Sequence, residues 1–208
     1  MKKIKYLVIL LILAGLVIIG NRIYKKITST KKDPQTGYTI KIGSEVDDFN
    51  GVKVYYNGSV GTVVGRNLTP DGYNLGLKYQ CVEFVKRYYY EYYGHKMPDS
   101  YGHAKDFFDS KIKDGEKNPK RNLIQYKNSS SSKPKVSDLI IFGPTISNRY
   151  GHVAIISEVS ENQIEIVQQN PGPYANSRVT YPLANVEGKW KIENDRVLGW
   201  LRKEDKKN

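Results

Sequence analysis

Residues 78–94, KYQCVEFVKRYYYEYYG, decide the fold of this 208-residue chain, because they combine a strong helical pattern with its only cysteine. Gly94 is a typical helix stop. The pattern therefore predicts a helix over residues 80–93, with the cysteine in its first turn. The side chains that recur at the spacing of one helix face are Cys81, Phe84, Val85, Tyr88, Tyr89 and Tyr92.

The first turn of a helix gives Cys81 a chemical meaning. A helix N-terminus carries partial positive charge and free N–H groups, and both favour a thiolate over a thiol. The same N–H groups can hold the oxyanion of a tetrahedral intermediate, and the Gln80 side chain offers a further donor. A lone cysteine is also often an inert buried side chain. Its position alone leaves both interpretations open.

The N-terminus predicts a membrane segment. Residues 6–20 form an uncharged, almost wholly apolar run between clusters of basic residues. A spanning helix needs about 20 apolar residues. We therefore predict a signal-anchor or transmembrane segment at residues 1–24, with a cleaved secretory signal as the alternative. Basic residues on both sides leave the orientation open. We expect export, so that the domain lies outside the cytoplasm.

The net charge of +12 lies mainly near the N-terminus. Residues 1–33 hold eight of the 33 Lys and Arg residues but only one of the 21 acidic residues. Residues 25–44 are basic and polar, which is typical of a tether. A nucleic-acid-binding protein would instead carry a basic stripe on its folded surface. We therefore expect no nucleic acid partner, and we expect one domain over residues 45–205.

The remaining pattern predicts an α+β domain, with N-terminal helices packed on a small antiparallel sheet. Residues 52–64 predict a hairpin that turns at Asn57-Gly58. Residues 103–112 predict a second helix, and the Lys-, Asn- and Ser-rich residues 114–135 predict a long exposed loop. Alternating or apolar runs predict further strands. Those strands are residues 136–142, 151–159, 163–170 and 197–203.

Three histidines can partner the cysteine. A thiol nucleophile usually needs an imidazole that takes its proton. His95 follows the helix stop and is expected on the surface, and His103 is expected as a helix cap or a surface contact. His152 differs, because it opens an apolar strand directly after Gly151. His152 is therefore the candidate base.

A polar run at the end of the next strand can orient that imidazole. If the hairpin loop is residues 160–162, His152 faces Asn170, and Gln168 lies diagonally on the same face. A two-residue loop would place Gln169 there instead. The single cysteine and three scattered histidines show no metal-ligand spacing, so no metal is expected.

Four motifs in order, YQCVEF at Cys81, SDLIIF at Asp138, GHVAII at His152 and QQN at Gln168, together resemble the CHAP domain. This family has a papain-like cysteine amidase and peptidase fold, and the resemblance covers about residues 45–203. It implies that Cys81 is the nucleophile and His152 the base. The third position, commonly Glu, Asp or Asn in the family, maps to Gln168.

Two departures from the family pattern matter for function. Gln168 can orient an imidazole but, being neutral, cannot offset the charge of an imidazolium. Ser137 stands where the family often has Gly, at a turn. Asn170 matches a polar position expected to contact substrate, and Gln80, next to the cysteine, is the second residue that we assign to substrate binding.

The resemblance implies hydrolysis of amide bonds without a cofactor. Together with the apolar N-terminus, it predicts a monomeric, membrane-anchored and extracytoplasmic enzyme that cuts peptidoglycan as an amidase or endopeptidase. The string YQCVEFVKRYY is also similar to the amidase half of the bifunctional glutathionylspermidine enzymes, so a small-molecule amidase is an alternative. A non-catalytic wall-binding module is another, with Gln168 marking lost catalysis.

Overall fold

The computed structural model describes residues 2–28 and 39–204. Its helices are α1 (Lys2–Thr28), α2 (Cys81–Tyr93) and a 3₁₀ helix (Ala104–Phe107). Its strands are β1 (Glu45–Phe49), β2 (Val52–Tyr55), β3 (Arg66–Leu68), β4 (Asn74–Leu77), β5 (Glu116–Asn118), β6 (Leu123–Lys127), β7 (Leu139–Phe142), β8 (His152–Val159), β9 (Gln163–Val167), β10 (Arg178–Val186), β11 (Lys189–Ile192) and β12 (Val197–Arg202). The α+β prediction is confirmed, although few helices accompany the strands.

Eight strands form one antiparallel sheet in the order β11-β10-β9-β8-β7-β12-β6-β5. The sheet curls until its ends approach, because the segment after β6 bonds to β11. The Asn128 side chain exchanges two hydrogen bonds of 2.8 and 3.0 Å with the backbone of Ile192. The N–H of Trp190 donates to the carbonyl of Ser130 at 2.7 Å. The sheet is therefore larger than predicted, since β5, β6, β10 and β11 extend it at both ends.

The curl gives the sheet two buried faces and two apolar cores. All four residues of β7 are buried, as expected for a strand covered on both sides. One face packs against α2 through side chains that include Phe84, Val85 and Leu139. The other face lines the inside of the curl, where Ile140 and Trp200 lie. The central strands β7, β8, β9 and β12 confirm the four strands predicted from the sequence.

Helix α2 begins at Cys81 and ends at Tyr93, as predicted. Gly94 caps it in the left-handed conformation at φ 59°. The predicted apolar face is buried from Cys81 to Tyr89, but its last member, Tyr92, is 48% exposed. On the opposite face, Glu83 and Lys86 are each only 1% exposed. They are covered because α2 also packs against β2 and β4.

The hairpin predicted over residues 52–64 is wrong. The observed hairpin is β1–β2, which turns at Asn50-Gly51, both with positive φ. Such a pair suits a two-residue hairpin turn. Asn57 is instead 2% exposed, and its Nδ2 donates to two carbonyls of the loop that follows it, at 3.2 and 3.3 Å. The side chain therefore organises a loop in place of a turn between strands.

Two further predictions are corrected around Gln125. In place of a helix over residues 103–112, only the short 3₁₀ helix forms. The Gln125 amide bonds both backbone groups of Asp109, at 2.8 and 3.0 Å, and this pairing draws the chain towards β6. Residues 114–135 are not one long exposed loop, because β5 and β6 lie within them. The polar side chains of β5 and β6 do not give the alternating apolar pattern that predicts a strand, although Gln125 itself is fully buried.

The segment predicted as a membrane anchor, residues 1–24, falls mainly on α1. Within residues 2–28 and 39–204, no helix combines the length and the apolar character needed to cross a bilayer. The predicted transmembrane helix therefore finds no support in the structure. Residues 29–38 of the predicted tether lie outside the described residues.

Candidate active site

Cys81 is the first residue of α2 and is 9% exposed. Gln80 precedes it in an extended conformation, at φ −81° and ψ 161°, and marks the start of the helix. Burial raises the pKa of the Cys81 thiol, while hydrogen bonds from the backbone N–H groups of Val153, Val82 and Cys81 itself lower that pKa in part. The net pKa is raised. The sequence suggested that the helix N-terminus would favour the thiolate, but desolvation is the larger effect.

A glycine lets β4 approach this end of α2. Gly76 has φ +133°, and a Cβ there would stand 3.1 Å from the Cα of Glu83. Only glycine combines that backbone angle with so close an approach. The packing of β4 against the first turn of α2 holds the helix start in place.

His152 is the first residue of β8 and bonds to Gln168 directly after β9. The distance from His152 Nε2 to Gln168 Oε1 is 2.9 Å. Gln168 Nε2 donates to the carbonyl of Asn176 at 3.0 Å, which turns the amide oxygen towards the ring. Because an amide oxygen only accepts, Nε2 of the ring must carry the proton. Nδ1 therefore holds the free lone pair of the neutral imidazole.

Both candidate reacting groups are neutral at rest. Burial lowers the pKa of His152 to about 4, with Arg196 acting in the same direction and the Gln168 hydrogen bond opposing it. The raised pKa of Cys81 keeps its proton on sulfur at neutral pH. The thiol lies against β8 through the N–H of Val153, the residue that follows His152. The arrangement supports transfer of the thiol proton during attack, in place of a preformed ion pair.

The strand register that places His152 depends on a bulge. Val159 pairs with Ile164, so the predicted pairing of Val159 with Gln163 is off by one residue. The ladder shifts between Ile156 and Glu158. Beyond that shift, Ile155 pairs with Val167, which is the register predicted from the sequence. The bulge therefore restores the alignment of His152 with the polar run after β9.

Gln80 and Asn170 bind each other and the loop before the helix. Asn170 Nδ2 donates to Gln80 Oε1 at 2.6 Å and to the carbonyl of Val60 at 3.0 Å. Gln80 Nε2 donates to the carbonyls of Val60 and Thr62, at 3.1 and 2.7 Å. Both amide hydrogens of Gln80 are thus occupied by the loop. Asn170 Oδ1 is buried and makes no hydrogen bond to the described residues.

Gln169, the alternative partner of His152 for a two-residue hairpin loop, does not take that place, since His152 bonds to Gln168. Gln169 is fully buried and donates to Glu83 Oε2 at 2.8 Å and to the Gln80 carbonyl at 3.1 Å. Glu83 in turn pairs with Arg87 at 2.7 Å. The signal was present in the alternation of the strand, since a side chain between Gln168 and Asn170 points to the opposite face.

Two other motif positions are structural. Asp138 is 1% exposed and forms an ion pair with Arg202 at 2.7 Å. Ser137, where the family often has Gly, takes φ 72°, and its hydroxyl bonds to the Tyr88 hydroxyl at 2.7 Å. The positive φ explains why a glycine suits this turn. The hydroxyl contact gives the serine a packing role.

The other histidines lie apart from this arrangement. His95 was expected on the surface, but it is 9% exposed and its Nε2 bonds to the carbonyl of Arg121 at 2.9 Å. His103 is exposed, as expected, and its ring lies 4.6 Å from that of Tyr150. Within residues 2–28 and 39–204, no group of three His, Cys, Asp or Glu residues could hold a metal ion.

A cleft of about 1090 Å³ opens beside the QQN motif. Its walls come from residues 39–48, 54–58 and 168–178, and they include Gln168 and Asn170. Gln168, which bonds to His152, therefore borders this cleft, whereas Cys81 and His152 are not among its lining residues.

Residues 71–170 match the family model of the CHAP domain. The matched region is just under half of the 208-residue chain. The match includes Cys81, His152 and Gln168, and a domain of this family supports an amidase-type hydrolase. The predicted family resemblance is confirmed.

Two curated relatives of the CHAP region come from Crithidia fasciculata. Trypanothione synthetase is 31% identical over 147 residues, which are 66% of this chain and 22% of that protein. Glutathionylspermidine synthase is 26% identical over 141 residues, which are 61% of this chain and 19% of that protein. The chain spans about a fifth of the length of these relatives.

Solved structures that match the CHAP region include two further proteins. Wild-type endolysin LysIME-EF1 is 25% identical with a TM-score of 0.38, over 69% of this chain and 60% of that one. Ly7917 is 27% identical with a TM-score of 0.26, over 35% of this chain and 29% of that one. Both superpositions are partial.

Proposed function

We propose that this protein cleaves an amide bond of peptidoglycan through an acyl-enzyme on Cys81. The observation that carries the proposal is the 2.9 Å hydrogen bond between His152 Nε2 and Gln168 Oε1. This bond leaves Nδ1 of His152 free to act as a base. The next residue in β8, Val153, donates its backbone N–H to the Cys81 thiol. The CHAP domain supports the same class of reaction.

Acylation starts from the neutral thiol and the neutral imidazole. As Cys81 Sγ bonds to the amide carbonyl carbon, Nδ1 of His152 accepts the thiol proton. The same proton then passes from Nδ1 to the departing nitrogen while the C–N bond breaks. Water, deprotonated by His152, attacks the thioester next. The second tetrahedral intermediate then collapses, which releases the carboxylic acid product and regenerates the thiol of Cys81.

The oxyanion of each tetrahedral intermediate needs a donor near the sulfur. The backbone N–H of Cys81 belongs to the first turn of α2, where N–H groups have no partner within the helix. The Gln80 side chain, the other donor considered from the sequence, holds the loop carbonyls at rest. We therefore assign the oxyanion to the N–H of Cys81. Gln80 and Asn170 shape the rim where substrate enters.

Gln168 keeps the imidazole in one tautomer and one orientation. A carboxylate in its place would also stabilise the imidazolium, and the amide lacks that charge. The Gln168 amide therefore preserves the geometry of the imidazole but gives a lower reaction rate than a carboxylate would. Gln168 is thus compatible with catalysis by an enzyme of moderate turnover.

Digestion of purified sacculi by the full chain tests the substrate. We expect soluble muropeptides, with either a new N-terminal amine or a free lactyl-linked glycan identified by mass spectrometry. The Cys81→Ala variant is the matched control, because it removes the nucleophile and leaves the fold. Release of the same products by this variant, or none by the wild type, would exclude the proposal.

A second candidate is an amidase that acts on glutathionyl-polyamine conjugates. It is favoured by the names of the two Crithidia relatives and by the string around Cys81. Incubation with glutathionylspermidine discriminates the two, because only this candidate predicts release of glutathione and spermidine. A wall-binding module without catalysis predicts instead that Cys81→Ala binds sacculi as the wild type does while neither protein cleaves them.

We also propose that the monomeric domain works outside the cytoplasm, held at the membrane by residues 1–24. The apolar run of residues 6–20 in the sequence supports this proposal. An alkaline phosphatase fused after Asn208 should be active in cells. An inactive alkaline phosphatase fusion, together with an active cytoplasmic reporter fused at the same position, would show that the domain lies in the cytoplasm.

A further inference from the structure

Gln169 lies where three separate parts of the chain meet. It follows β9, its Oε1 accepts the N–H of Tyr55 in β2 at 2.8 Å, and its Nε2 donates to Glu83 in α2. Arg87 also reaches Oε1, at 3.5 Å. The carboxylate of Glu83 can only accept and the N–H of Tyr55 can only donate, so the amide has one possible orientation.

The remaining hydrogen of this amide goes to the peptide that precedes the nucleophile. Gln169 Nε2 lies 3.1 Å from the carbonyl oxygen of Gln80. That oxygen also accepts the first helical bond of α2, from the N–H of Phe84 at 3.2 Å. The carbonyl of Gln80 and the N–H of Cys81 belong to one planar peptide unit. Fixing the oxygen therefore fixes the direction of the N–H.

We propose that Gln169 is a positioning residue that aims the backbone N–H of Cys81 at the oxyanion of the acyl-transfer reaction. A second donor on the Gln80 oxygen also polarises the peptide and makes its N–H a stronger donor. Gln169 touches neither the substrate nor the sulfur and acts through the Gln80–Cys81 peptide. The inference rests on the proposed acyl transfer at Cys81 and does not depend on which amide is the natural substrate.

The three residues of the QQN motif then have three distinct tasks. Gln168 holds the imidazole, and Asn170 holds the Gln80 side chain and the neighbouring loop. Gln169 points to the other face and holds the backbone of the same Gln80. One short segment thus sets both the base and the oxyanion donor relative to the nucleophile.

Two small reagents separate aiming of the N–H from reactivity of the sulfur. Transfer of the acetyl group from p-nitrophenyl acetate forms an S–C bond and expels p-nitrophenolate through a tetrahedral oxyanion. Iodoacetamide alkylates the same sulfur by displacement of iodide and forms no oxyanion. Both reactions form a bond to the Cys81 sulfur, so the ratio of their rate constants cancels changes in the exposure of that sulfur. Acetyl transfer also needs His152, so an unchanged pH dependence of acetyl transfer in a variant shows that the base is unaffected.

The first variant is Gln169→Leu. We expect the ratio of acetyl transfer to alkylation to fall about tenfold or more, since removal of an oxyanion donor costs about 10²–10³ in rate. The matched control is Gln125→Leu, because Gln125 in β6 is equally buried and its amide also bonds a backbone carbonyl, that of Asp109. It should lower the melting temperature and leave the ratio unchanged.

The second variant keeps the buried charge and guards against a loss of folding. In the double variant Glu83→Gln with Gln169→Glu, the two side chains exchange roles, and Arg87 keeps a carboxylate partner. The bond to the Gln80 oxygen is lost. We expect a melting temperature nearer the wild type than that of Gln169→Leu, with the same low ratio.

The outcomes distinguish this inference from the proposed substrate. A ratio that stays at the wild-type value in both Gln169 variants overturns the positioning role, as does a wild type whose acetyl transfer equals that of Cys81→Ala. A lowered ratio in a protein that releases nothing from sacculi supports the positioning role and removes peptidoglycan as the substrate.

Discussion

At the scale of single residues, the neutral state of Cys81 and His152 has a measurable consequence. Burial raises the pKa of the thiol, so the thiolate fraction is small at pH 7 and grows as the pH rises. Burial lowers the pKa of His152 to about 4, so the imidazole stays a neutral base until the pH falls towards that value. The pair therefore does not supply a preformed thiolate at neutral pH.

We predict that alkylation of Cys81 by iodoacetamide is slow at pH 7 and rises without a plateau until above about pH 8.5, the pKa of a free thiol. The His152→Ala variant should show nearly the same profile above pH 7, although acetyl transfer and hydrolysis are lost. Rate constants measured from pH 4 to 10 check this. A plateau below pH 7 that disappears in His152→Ala would instead indicate an ion pair.

Gln168 offers a second prediction at this scale. A carboxylate at this position, in Gln168→Glu, should raise the pKa of His152, because a negative charge about 2.9 Å from Nε2 favours the imidazolium. Alkylation near pH 6 should then increase several-fold. The substitution removes the donor to the Asn176 carbonyl, which costs about 1–3 kcal/mol of stability.

The near-isosteric control is Gln168→Met, whose thioether is only a weak acceptor for the ring. It should reduce acetyl transfer by up to about 10⁴, the loss expected when an imidazole loses its orienting partner. Equal alkylation profiles for Gln168→Glu and the wild type would show that the carboxylate does not reach Nε2.

At the scale of the elements, the start of α2 depends on a glycine in β4. Gly76→Ala places a methyl group 3.1 Å from the Cα of Glu83 at φ +133°. Gly72 also has positive φ, at +81°, but nothing lies within 4 Å of a Cβ there. The two sites share backbone strain and differ in crowding against α2.

We predict that Gly72→Ala costs about 1–2 kcal/mol of unfolding free energy from strain alone. Gly76→Ala should cost about 1–3 kcal/mol more, since crowding of packed backbone adds to the strain. Urea denaturation measures both. Gly76→Ala should also slow alkylation of Cys81, because relief of the contact displaces the first turn of α2. Equal costs at both sites would contradict this packing.

Periodicity within one element predicted α2 and the central strands correctly, because their apolar faces are continuous. It could not predict β10 and β11, whose residues are largely half-buried or exposed at the sheet edge. Nor could it predict that Gln169 and Glu83 are buried, since each is stabilised by partners far along the chain. The alternation of residues along β8 likewise does not predict the bulge between Ile156 and Glu158.

At the scale of the whole molecule, contacts between residues far apart in the sequence decide how the sheet closes. The curl is completed where the Asn128 side chain takes the place of a neighbouring strand for Ile192. The active-site strands β8 and β9 lie in the middle of the sheet, between β7 and β10. We therefore expect that loss of the contacts that close the sheet edge leaves the candidate active site assembled.

We predict that Asn128→Ala lowers the free energy of unfolding by roughly 2–6 kcal/mol, because two backbone groups of Ile192 lose their partners at about 1–3 kcal/mol each. Asn128→Asp should lose about half as much, since its carboxylate still accepts the Ile192 N–H. Hydrogen exchange should quicken in β11 and stay slow in β8. Rates of Cys81 acetylation should remain within about threefold of the wild type, since contacts far from a site usually act independently of it. Loss of acetylation in both variants would show that sheet closure holds the site as well as the edge.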